Sequence, residues 1–164
     1  MTAPTQHDIR GVLIQVAGGR LLLPNATIAE VMSYADPEPI ECAPGNSTPD
    51  WLLGRIRWRG WQLPLIAFAR LSGIAQESGG LGSKVIVLKA LGGDAKFPYF
   101  ALLTQGFPRL VTVSPDTVVE DGGGDAEILP AGVQARVLLN EDQALLPDLE
   151  RIEQLIGEAL QQAA

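Results

Sequence analysis

The chain has 164 residues, 46% of them hydrophobic, enough to bury the core of one ordinary domain or two very small ones. Its net charge of −7 gives a field that repels nucleic acid, whose affinity comes largely from neutralised phosphates, so a nucleic-acid partner is disfavoured. Cys42 is the only cysteine, which excludes an intrachain disulfide, a Cys-x-x-Cys pair and a thiolate metal cluster.

The opening MTAPTQHDIRG lacks the basic start and apolar stretch of a secretory signal, and residues 1–10 read as a flexible N-terminus. No apolar run approaches the roughly 20 residues of a membrane span, so a cytoplasmic address without membrane insertion is expected. Short runs rich in Val, Ile and Leu then recur between turn residues, the spacing of an all-β barrel or sandwich. They predict strands at Gly11–Val16, Arg20–Pro24, Arg55–Trp58, Gln62–Ala67, Val85–Ala90, Tyr99–Thr104, Leu110–Val113, Val133–Leu139 and Gln143–Leu146. Tight turns are expected at Ala17–Gly19, Arg59–Gly60, Gly92–Asp94 and Asn140–Asp142.

Four of the twelve prolines crowd into Pro37–Pro49, an excursion or surface loop. Glycine-rich breaks follow at Glu77–Ser83 and Asp121–Glu127, the first placing the boundary between two halves near 77–83. The halves echo each other: a strand and turn lead into WQLPLIAF in one and into QALLPDL in the other. From Asp148 to Leu160 the apolar positions Leu149, Ile152, Leu155, Ile156, Ala159 and Leu160 form one helical stripe, opened by Pro147 and acidic residues.

Chemistry finds little support. His7, the only histidine, sits in a polar N-terminal stretch, and one His with one distant Cys leaves a zinc site short of ligands. In GGLGSK the lysine precedes a strand, whereas a phosphate loop needs Gly-Lys-Ser/Thr opening a helix. DGGGDAE does not match the alternating ligands of a calcium loop. No metal or cofactor is expected.

The stretch WLLGRIRWRGWQLPLIAFARLSG holds all three tryptophans and four of the twelve basic residues. Strand alternation puts Ile56 and Trp58 on one face and Arg55, Arg57 and Arg59 on the other, so the arginines need not interleave with the rings as a base-stacking surface requires. One tryptophan is expected in the core, and an exposed Trp61 would suit an interface.

Gly54, Ile56, Arg59 and Gly60, then Leu63, Pro64, Leu65 and Ile66, resemble the central motif of CheW-like domains, the coupling proteins of bacterial chemosensory arrays. Upstream, LIQVAGGRLLLPNATIAEV resembles that family's opening hairpin, with Glu30–Val31 at its Glu-Val pair; downstream, LLPDLERI is similar to its closing strand and helix. The resemblance runs from about Gly11 to Leu160 and is tighter in the first half than in the second.

It implies an all-β fold of two linked five-stranded SH3-like β-barrels with a C-terminal helix, one CheW-like domain over 11–164. It also implies no catalysis and two partners, a CheA-type histidine kinase and the cytoplasmic tip of methyl-accepting receptors, met at arrays on the inner face of the membrane. Arg59 then matches the family's Arg-Gly turn and Glu30 the glutamate paired with it; Gly60, Trp58 and Trp61 complete the candidate protein-binding set. An arginine fork oriented by a carboxylate keeps spare donors for a partner, although the pair could equally just tie two loops together. Ala67 and Thr104–Gln105 depart from the family's usual acids, and with the tryptophan-rich turn they favour a divergent member such as those of pilus systems controlling twitching motility. The competing reading is a β-barrel ligand-binding or hydrolytic domain outside signalling.

Overall fold

The computed structural model describes residues 9–90, 98–114, 118–120, 130–139 and 142–163. Strands β1 (Ile9–Val16) and β2 (Gly19–Pro24) form a hairpin, and a 3-10 turn at Asn25–Thr27 leads into β3 (Ile28–Ser33). β4 (Leu52–Trp58) and β5 (Trp61–Ile66) form a second hairpin, followed by the short helix α1 (Phe68–Ser72). The pair β6 (Lys84–Lys89) and β7 (Tyr99–Thr104) precedes β8 (Arg109–Val113), β9 (Val118–Glu120), β10 (Val133–Leu139), β11 (Asp142–Pro147) and the helix α2 (Leu149–Ala163). Residues 1–8, with His7, and the segments Gly92–Asp94 and Asp121–Glu127 lie outside the described residues. Ile9 and Arg10 belong to β1, so ordered structure begins two residues earlier than the flexible stretch expected over 1–10.

The strands form two mixed sheets, ordered β8-β1-β2-β11-β10-β9 and β3-β6-β7-β5-β4. Both follow one plan. Two antiparallel hairpins meet through a parallel contact, at Leu21–Leu145 in the first and Leu65–Ala101 in the second, and a further strand lies outside one hairpin. The six-stranded sheet exceeds the expected five by the three-residue β9, whose counterpart in the other sheet is a single bridge from Glu38 to Arg55 of β4.

Chain length forces each sheet to curl. β8 and β9 lie at opposite ends of their sheet, about 24 Å apart were it flat. The link from Val113 to Val118 spans at most about 17 Å. In the other sheet, Ser33 of β3 and Glu38 on the β4 edge impose the same restraint across its two ends. Each sheet therefore wraps around an interior of its own: Leu13, Leu22, Val137, Leu139 and Ala144 fill the first, and Leu65, Val85, Ala101, Leu103, Trp58, Leu63 and Val87 the second.

The outer faces of the barrels share a third and larger core that joins Ile14 and Leu21 to Ile66, Ile86, Phe100 and Leu102. With both faces covered, β1, β6 and β7 read as continuous apolar runs rather than as alternation. The stripe of α2 packs in cis on this core through Leu149, Ile152, Ile156 and Ala159. Asp148 caps the helix, its Oδ1 accepting from the Arg151 N–H at 3.1 Å.

The glycine-rich stretch near 77–83 is the expected boundary between halves. It falls between two sequence repeats, but not between the barrels, because each repeat lends its first hairpin to the other. β1–β2 complete the sheet built from β8–β11, and β6–β7 complete the sheet built from β3–β5. Periodicity marks where strands lie and is silent on which strands pair, so the exchange leaves no trace in the spacing.

The proline-rich excursion is held on both sides. Glu38 exchanges backbone hydrogen bonds with Arg55 at 2.8 Å each way, and the Ala43 N–H donates to the Ala163 carbonyl at the end of α2. Gly54, at φ 147°, allows this approach, since a β-carbon there would strike the Glu38 carbonyl oxygen.

Two outcomes follow from this architecture. Fragments 1–79 and 80–164 should each lack native β signal by circular dichroism and regain it when mixed, because neither half can close a barrel alone. Ile156→Ala should lower unfolding free energy by about 2–5 kcal/mol in denaturant titration, since the residue is fully buried where helix and both barrels meet.

Candidate functional site

The β4–β5 hairpin ends in a two-residue turn, Arg59–Gly60, flanked by Trp58 and Trp61. Both turn residues have positive φ, 49° for Arg59 and 82° for Gly60, the backbone of a type I′ turn that matches the twist of the strands. Glycine adopts it freely. An arginine there costs about 1–2 kcal/mol, because its β-carbon crowds the following carbonyl.

Contacts around the tip offset that strain. Glu30 of β3 accepts from both neighbours: its Oε2 takes the Trp58 Nε1–H at 3.0 Å and its Oε1 the Arg59 Nη2–H at 3.1 Å. The Arg59 guanidinium lies 4.9 Å from the centre of the Trp58 ring. Trp58 meets Tyr99 edge-on at 4.8 Å, and Trp61 tilts toward the same tyrosine at 6.4 Å. A register shift between Ile28 and Glu30 interrupts the β3–β6 ladder beside the carboxylate.

β3 and β4 are the two ends of their sheet, so the Glu30–Trp58 hydrogen bond also spans the seam of the barrel. Its energetic weight differs from that of the ion pair beside it. Trp58 is 6% exposed, and a charge-assisted bond to a buried donor is worth about 1.5–3 kcal/mol. The Arg59–Glu30 pair is open to solvent and contributes about 0–1 kcal/mol.

All five candidate residues are thus brought to one hairpin tip, with different parts. Arg59 and Trp61 present surface, Trp61 being 44% exposed. Gly60 makes the turn. Trp58 is buried and serves as support rather than contact, and Glu30 stands between the two. Arg59 does not continue the stripe of Arg55 and Arg57, as alternation suggested; the strand ends at Trp58, and the arginine turns back across that ring while Arg57 pairs with Glu38 at 3.7 Å. Trp51 packs against the shared core. Among the described residues no group of three His, Cys, Asp or Glu stands close enough to hold a metal.

Sequence reasoning missed Tyr99, which lies far along the chain and reaches the tip only through the parallel β5–β7 contact. Away from the tip, Phe107 and, on β8 of the other sheet, Leu110 are also exposed apolar side chains that it did not single out. The departures from the family pattern differ in burial, Thr104 being fully buried and Gln105 exposed. Ala67 is fully buried at the start of α1, and Gln105 donates from Nε2 to Glu77 at 3.0 Å.

A model of the CheW-like domain matches residues 10–156. The chain belongs to the CheW-like domain family. Its fold is similar to that of the scaffolding protein TtCheW from Thermoanaerobacter tengcongensis, with TM-score 0.68 over 91% of each chain at 17% identity. Comparison with curated proteins finds no match. In this CheW-like chain no helix among the described residues is long and apolar enough to cross a membrane.

The geometry ranks three substitutions by stability. Glu30→Ala, which strands the Trp58 indole N–H, should lose about 1–3 kcal/mol. Arg59→Ala should lose less than about 1 kcal/mol. Arg59→Gly, which relieves the left-handed backbone, should match the parent to within about 1 kcal/mol or exceed it. Thermal denaturation of the three variants checks the order.

Proposed function

We propose that this CheW-like chain is a non-enzymatic scaffold that couples methyl-accepting chemoreceptors to a CheA-type histidine kinase at arrays on the cytoplasmic face of the membrane. Family membership supports the adaptor role, and Arg59 carries the assignment of the contact site. An arginine held in a conformation that favours glycine, where it adds little to stability, is retained for what it meets. Only one of its nitrogens is committed to Glu30, and the side chain is largely open to solvent, two residues before the exposed Trp61. A partner surface bearing a carboxylate next to an apolar side chain fits that combination.

Of the features that set this chain apart from the usual motif, Ala67 and Thr104 are buried and bear on packing. Of the two tryptophans flanking the Arg-Gly turn, Trp61 is at a surface, and this tryptophan-rich turn supports assignment to a divergent branch such as the pilus systems that govern twitching motility.

Binding of the purified chain to the receptor tip and to the kinase regulatory domain, measured by calorimetry, tests the reading. Arg59→Ala and Trp61→Ala should each weaken at least one complex by about tenfold or more, while the thermal midpoint stays within a few degrees. Full affinity in both variants for both partners would remove the hairpin tip from the interface, and no binding by the parent chain at micromolar concentration would remove the adaptor role.

A further inference from the structure

Glu77 lies in the glycine-rich link between the two repeats, yet it is 1% exposed. Its carboxylate accepts three hydrogen bonds from three separate places. Oε2 takes the Ala17 N–H of the β1–β2 turn at 2.8 Å and Gln105 Nε2–H at 3.0 Å, and Oε1 takes the Ala69 N–H in α1 at 3.4 Å. Ala17 belongs to one barrel and α1 follows directly from the other, while Gln105 begins the crossover by which the chain passes between them. Gln105 is exposed but makes three further hydrogen bonds. Its backbone N–H donates to the Gln15 carbonyl of β1 at 2.8 Å, its Nε2 to the Ser78 carbonyl at 3.4 Å, and its Oε1 accepts from Ser83 Oγ at 3.5 Å.

We infer that Glu77 and Gln105 form a clamp that fixes the angle between the two barrels. The apolar core they share cannot do this alone, because hydrophobic contact is non-directional and tolerates sliding of one face over another. Hydrogen bonds donated to one buried carboxylate by two backbone amides and an amide side chain are directional, and they are anchored on both bodies. The turn is close to its neighbour here as well: a β-carbon on Gly18 would come within 2.7 Å of Ile74, just beyond α1. Breaking the clamp should leave each barrel folded and free the angle between them. The inference stands apart from the adaptor reading, since it concerns the rigidity of this chain and involves none of the residues at the hairpin tip.

Electron–electron distance measurement reads the angle directly. Spin labels at Thr112→Cys in one barrel and Gln62→Cys in the other, in a Cys42→Ser background, should give a single narrow distribution in the full-length parent. Glu77→Ala should broaden that distribution about twofold or more and speed amide exchange at Ala17 and Ala69 about tenfold, with exchange in β6 and β7 unchanged. Should Glu77→Ala fail to fold, Gln105→Ala decides, since it removes one donor and leaves the carboxylate with its two amides. Adding Gln105→Ala to Glu77→Ala should change little beyond Glu77→Ala alone, the mark of residues that act as one unit. An unchanged distance distribution in a folded variant would overturn the inference, as would faster exchange spread evenly over both barrels.

Discussion

Each barrel is completed by a hairpin that belongs to the other half of the chain, and most of the structure follows from that exchange. It places β1–β2 and β6–β7 inside sheets whose remaining strands lie elsewhere in sequence, so the two interiors cannot fill independently. It also leaves the outer faces of both exchanged hairpins against one another, where they become a third core and seat α2. A duplicated unit closing upon itself would give two separable beads. Exchange gives one body in which every core draws on both repeats.

Within that body the tip of the β4–β5 hairpin shows how one carboxylate serves two ends. Glu30 is structural toward Trp58, where a buried donor at the seam needs an acceptor, and preparatory toward Arg59, where it orients a fork that adds little to stability. The tyrosine between the tryptophans completes an aromatic base beside the cationic side chain. The proposed docking of a partner here would cost little entropy, because the aromatic groups are already packed on one another.

Much of this was legible in the residues. Runs such as VIVL and FALL announced buried strands, the Arg-Gly turn announced the hairpin, and the spacing from Leu149 to Leu160 announced α2. Three things were not. β3 is only half buried and shows no clean alternation, so IAEVMS carried no strand signal of its own. α1 is five residues long and follows Ala67 without a side-chain cap, leaving FARLS outside every predicted element. Tyr99 and Glu77 owe their positions to pairing between distant segments, which composition and period do not encode. Glu77 in particular sits among glycines that suggest a solvated linker, and only the fold turns it inward.

The exchange also sets a timetable. Leu21 in the first hairpin waits for Leu145, about 120 residues later, before its sheet has a second hairpin to pair with. At roughly 5–20 residues per second of synthesis, β2 leaves the ribosome about 6–25 seconds ahead of that partner, carrying an apolar edge with nothing beside it. The polypeptide is therefore most prone to stray pairing while still being made, and the last helix to emerge is also the one that covers the core shared by everything before it.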